Sequence, residues 1–124
     1  PGRVRLLAKL RDRGVKVGVL SDYGRVPERL EALRIPVTLV DETASAEDSG
    51  SLKPSPRPFL FMAARLGLEP GDCIVVGDRE DMDGEGARAA GMAFLGVTAS
   101  GRARPPLFGW HEIPGKLDLA AGRV

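Results

Sequence analysis

The chain has 124 residues, enough for one hydrophobic core and too few for two domains of ordinary size. Eighteen Lys and Arg offset seventeen Asp and Glu, and a net charge of +1 provides no field that would gather nucleic acid or a membrane surface. The single cysteine, Cys73, excludes an internal disulfide, and the apolar runs are far too short to span a bilayer and follow no charged secretory leader, so a cytoplasmic protein with a small-molecule partner is expected.

Val4, Leu6, Leu7 and Leu10 recur at helical spacing ahead of Gly14, which predicts a helix over residues 3 to 13. Val15 to Leu20 follow as an apolar, β-branched strand that runs into Ser21, Asp22, Tyr23 and Gly24. Pro27 suits a first helical turn, with Leu30, Leu33 and Ile35 on the apolar side. A second strand is expected at Val37 to Val40, and the polar stretch from Asp41 to Lys53 reads as a loop. Pro56 and Pro58 open a third helix whose Phe59, Leu60, Met62, Ala63 and Leu66 form a core stripe that stops at Gly67.

A third strand at Cys73 to Val76 opens directly into Gly77-Asp78-Arg79-Glu80-Asp81-Met82-Asp83-Gly84. Within it, Cys73 reads as a buried core thiol rather than a nucleophile. Residues 84 to 92 then form a small-residue helix, Ala93 to Val97 a fourth strand, and residues 100 to 124 a tail of partial regularity. In that tail Trp110, Ile113, Leu117 and Leu119 can cover a sheet edge or face, and His111 reads as a surface or packing histidine. Alternation of strand and helix predicts an α/β fold with a parallel sheet and right-handed crossovers.

Parallel sheets keep their chemistry at the carboxyl ends of the strands. Three such ends carry different polar groups: Ser21, Lys53 in the loop after the second strand, and Asp78 with Asp83 after the third. A hydroxyl can donate to phosphate oxygens, an ammonium can neutralise their charge, and clustered carboxylates suit Mg²⁺. Each residue also has a plainer role. Ser21 can end its strand as a turn hydroxyl, Lys53 can be a solvated loop lysine, and Asp78 or Asp83 can cap the following helix. Glu80 and Asp81 fit solvated side chains, although Asp81 is close enough to substitute for Asp83 beside a cation. Arg79 can neutralise the cluster or point to water.

Val17-Gly18-Val19-Leu20-Ser21, Ser51-Leu52-Lys53-Pro54-Ser55-Pro56 and the Gly77-Asp78…Asp83 spacing, in this order, resemble the second, third and fourth motifs of the haloacid dehalogenase (HAD) superfamily over residues 2 to 97. Asp22 stands where many members have Asn. The resemblance implies a three-layer α/β/α Rossmann-like fold, and a magnesium-dependent phosphatase acting on a small phosphate ester through an aspartyl-phosphate. Ser21 and Lys53 would then bind phosphate, and Asp78 and Asp83 would serve the Mg²⁺ site. No Asp-x-Asp on a strand precedes Ser21, so the motif that supplies the nucleophile and the general acid and base is absent from this sequence.

The expected reading of residues 1 to 124 is therefore a partial HAD-like core domain, the carboxyl-terminal part of a longer protein. Its sheet would miss the central first strand, leaving edges that can self-associate unless the flanking strands pair directly. A non-catalytic or degenerate phosphate- or metal-binding domain of the same fold is the alternative. A receiver-like domain fits less well, because its acidic pocket would lie at the first strand.

Overall fold

The computed structural model describes residues 2–22, 24–97 and 107–108. The leading helix, α1 (Gly2–Asp12), is followed by β1 (Gly18–Ser21) and α2 (Val26–Ala32), which carries Pro27 in its first turn as predicted. Next come β2 (Glu42–Ser45), α3 (Arg57–Leu66), β3 (Ile74–Gly77), α4 (Glu85–Ala89), β4 (Ala93–Val97) and a two-residue β5 (Leu107–Phe108). Among the described residues every strand pairing is parallel.

The strands form two separate sheets, β1-β2 and β3-β4-β5. Among the described residues β1 pairs only with β2, and β3 only with β4, so each has an edge without a strand partner. The pieces are held together from both faces. On one face Leu10 of α1 and Val76 of β3 pack against Leu6 and Val97, while Leu7 of α1 and Val19 of β1 pack against the Val26, Leu30 and Ile35 cluster at α2. On the other face Phe59 and Ala63 of α3 and Ala87 of α4 enclose Leu20 of β1 and Val75 of β3. The two-residue period of a strand sends Val19 and Leu20, or Val75 and Val76, to opposite layers, which gives an α/β/α arrangement. All four residues of β1 and all four of β3 remain only half-buried, as expected of strands open on one side.

The predicted second strand is corrected. Val37–Leu39 form a 3₁₀ turn after Pro36, and β2 lies in the segment read as a loop. Asp41 fixes the strand start: its carboxylate accepts from Val17 N–H at 2.7 Å, and its own N–H donates to the Val17 carbonyl at 2.8 Å. Small side chains then decide the packing, because Ala44, Ser45 and Ala46 are buried where α3 crosses close to the sheet. Met62 and Leu66 cover that face.

The helix predicted from residue 84 also differs. A π-helical turn over Glu80–Gly84 precedes α4, with the Arg79 carbonyl accepting from the N–H groups of Met82, Asp83 and Gly84. Of the tail, the β5 backbone pairs with β4 (Gly96 opposite Leu107, Val97 opposite Phe108), a strand the sequence reading did not foresee. The expectations for Trp110, His111, Ile113, Leu117 and Leu119 lie outside the described residues.

Candidate functional site

The carboxyl ends of β1 and β2 lie side by side on one rim, and the segment after β2 reaches the turn after β3 through Lys53 and Asp83. Ser21 ends β1 opposite Ser45 of β2, and a capping box at Ser45 turns the chain: Ser45 N–H donates to Asp48 Oδ2 at 3.0 Å. Ser49 Oγ donates to the Ala46 carbonyl at 2.6 Å, and the chain then reaches Lys53, whose peptide bond to Pro54 is cis.

Lys53 is turned inward. Its Nζ lies 2.7 Å from Asp83 Oδ1, with only 13% and 9% of the two side chains exposed. The same ammonium stands 5.8 Å from the centroid of the Phe59 ring. An ion pair withdrawn from water to this degree is held by geometry, since desolvation opposes the Coulomb attraction unless further partners complete the site. Asp83 has such a partner, because its Oδ2 accepts from Arg79 N–H at 3.3 Å.

Gly77 makes room for this carboxylate. A Cβ added at Gly77 would lie 2.7 Å from Asp83 Cγ and 2.8 Å from Asp83 Cβ, well inside contact distance. The end of β3 and the π-helical turn therefore approach as closely as they do because residue 77 has no side chain.

Asp78 is exposed and makes no hydrogen bond or ion pair among the described residues. The other acids of the loop have arginine partners at the surface. Arg79 grips Asp81 through Nε and Nη2 at 3.0 and 2.9 Å, and Arg88 pairs with Glu80. That fork holds the Asp81 carboxyl below the usual carboxylate range and raises the Arg79 guanidinium. Asp22 Oδ1, next to Ser21, is buried with no hydrogen-bond partner among the described residues, a state that costs about 1–3 kcal/mol for a typical polar group.

The structure thus joins Lys53 to Asp83, ends β1 with Ser21 opposite Ser45, and leaves Asp78 exposed. No group of three or more His, Cys, Asp or Glu side chains converges among the described residues. Magnesium keeps most of its waters and needs only one or two protein carboxylates besides phosphate oxygens. The exposed Asp78 carboxylate at the end of β3, which has no ion-pair partner among the described residues, is of the type that fits such a role. Phe59 was legible only as core; its contact with Lys53 is a tertiary fact that helical spacing cannot carry.

Cys73 is half-buried rather than fully enclosed, packs against the Phe59 cluster, and points its Sγ at the Glu69 carbonyl, 3.4 Å away. Burial, then the neighbouring Asp72 charge, push its thiol above the ordinary range. The protonated form is thereby favoured in the folded state, so this contribution to stability is full below the unfolded thiol pKa and fades as pH rises through the folded one. Alkylation by iodoacetamide at neutral pH should be slower than that of free cysteine and should accelerate in denaturant; equal rates would show that the thiol is not protected.

Residues 1–91 match the haloacid dehalogenase-like hydrolase family. The chain is 34% identical over 98 residues to the glyceraldehyde 3-phosphate phosphatase of Methanopyrus kandleri, covering 78% of this chain and 42% of that protein. Phosphatase MT3486 of Mycobacterium tuberculosis is 36% identical over 100 residues, covering 79% and 46%. The crystal structure of a HAD phosphatase from Thermococcus onnurineus superposes with a TM-score of 0.81 at 27% identity, covering 94% of this chain and 57% of that one. The chain therefore spans less than half the length of these two curated relatives. With its parallel strands, its two helical layers and a family match over residues 1–91, the chain belongs to the haloacid dehalogenase-like hydrolase family.

Proposed function

We propose that residues 1 to 124 form the phosphate-binding part of a HAD core domain in a magnesium-dependent phosphatase that acts on a small phosphate ester. The observation that carries this reading is the inward Lys53 ammonium, fixed on Asp83 at 2.7 Å at the carboxyl ends of parallel strands. A cation so placed can meet a phosphoryl oxygen without reorganising, which is how charge developing in a transition state is best stabilised. In this role Ser21 Oγ donates to a phosphate oxygen and Lys53 neutralises the transferring group. The relatives named as phosphatases support the same class.

Asp78 would hold Mg²⁺, with Asp83 beside it keeping Lys53 in place. Bound there, the ion would supply Lewis-acid neutralisation of the phosphate oxygens. The sequence carries no Asp-x-Asp on a strand ahead of Ser21, so in this reading the attacking carboxylate would be supplied by other residues than these 124. The unpartnered edges of β1 and β3 leave a place for the strand that would bear it.

Release of inorganic phosphate from p-nitrophenyl phosphate by the native gene product that carries this chain is expected to require Mg²⁺. Asp78→Asn should lower that activity by about 100-fold or more, because a carboxylate ligand is replaced by a neutral amide. Metal-dependent turnover that survives Asp78→Asn would overturn the assignment. Phosphate binding without any turnover would favour the non-catalytic alternative.

A further inference from the structure

Phe59 does more than fill the core. Its side chain is only 4% exposed, enclosed by Ala63, Ala87, Ala90 and Met92, and the Lys53 ammonium stands 5.8 Å from its ring centroid. A cation at that distance from a ring that water cannot reach is attracted by the negative face of the π system. The ring also abuts α4: a Cβ added at Gly86 would fall 3.0 Å from Cδ2 and 3.1 Å from Cζ, and nearer still to Cε2. Gly86 lies three residues beyond Asp83, and Phe59 six beyond Lys53, so this one contact locks together the two segments that bear the ion pair.

We propose that Phe59 is a positioning residue for Lys53: its ring, seated on the backbone at Gly86, fixes the ammonium against Asp83 at the rim where a phosphoryl oxygen would be received. This rests on the phosphatase reading for its catalytic consequence, but not for the seating of the lysine.

Phe59→Leu keeps an apolar side chain in the core and removes the ring. In the native gene product it should lower kcat about tenfold with a much smaller change in KM, since a displaced ammonium serves the transition state worst. Gly86→Ala, which pushes on the ring without touching Lys53, should lower kcat in the same direction. A readout independent of activity is the NMR shift of the Lys53 ε-methylene protons, expected upfield in the wild type through the ring current and at an ordinary value in Phe59→Leu. A purely structural Phe59 would lower the melting temperature of Phe59→Leu while leaving kcat unchanged, which would overturn the proposal, as would an ordinary Lys53 shift in the wild type. If Phe59→Leu fails to fold, Gly86→Ala and the wild-type resonance decide the matter. An upfield Lys53 resonance in a protein that cleaves no phosphate ester would support the seating and overturn the phosphatase reading instead.

Discussion

Lys53→Met is expected to abolish most phosphatase activity and to destabilise the fold at the same time. The ammonium is the only side-chain cation paired with Asp83 among the described residues, and both side chains are close to fully buried. Removing it strands a carboxylate in a site with little water, for which about 3 kcal/mol of stability is a reasonable loss. Catalysis should fall by about 10²–10³, the usual effect of deleting one preorganised donor to a developing oxyanion. The two effects separate in a double variant. Adding Asp83→Asn removes the uncompensated charge, keeps an acceptor for Arg79 N–H, and should restore much of the stability with none of the activity. Chemical denaturation and phosphate release measured on the three proteins check this; a double variant as unstable as Lys53→Met would show that the pair is not what holds Asp83.

Much of this arrangement was legible in the sequence because local pattern and global fold agree over most of it. Val4, Leu6, Leu7 and Leu10 announce a helix that buries Leu6 and half-buries the other three, and Ala93–Val97 form the strand their composition suggests. Pattern failed where packing overrode it. Val37 to Val40 are each β-branched or apolar, yet Val37 is exposed and the segment turns, while the more polar Glu42-Thr43-Ala44-Ser45 forms the strand. An edge strand under a closely packed helix is selected for small buried side chains and for an anchor such as Asp41, and neither raises its β-propensity. In the acidic loop the local pattern is silent on one long-range partner. Spacing groups Asp78 with Asp83, but the turn at Glu80–Gly84 carries Asp83 back over Gly77 toward a lysine thirty residues earlier in the chain. Only the fold could reveal that pairing.

Gly77→Ala tests the same geometry from the opposite side, and its effect is expected to be nearly as large although no charge changes. The backbone at Gly77 lies outside the positive-φ region, so alanine can adopt it and any cost is steric. The added methyl would meet Asp83 Cβ at 2.8 Å and Cγ at 2.7 Å. These atoms are near the backbone and cannot swing aside as the end of a long side chain would, so the π-helical turn or the end of β3 must move. Overpacking of this kind costs about 1–3 kcal/mol, and the displaced carboxylate would release Lys53 from its seat. A fall in kcat of about 100-fold is expected, because an ångström of misplacement at a charge-stabilising group is enough to produce it. Gly71→Ala is the matched control: the same substitution at a position with ordinary φ and nothing within 4 Å of the new methyl should change neither stability nor turnover appreciably. If Gly77→Ala behaved like Gly71→Ala, the close approach of β3 to Asp83 would not be what sets the lysine, and the candidate site would have to be built from other groups.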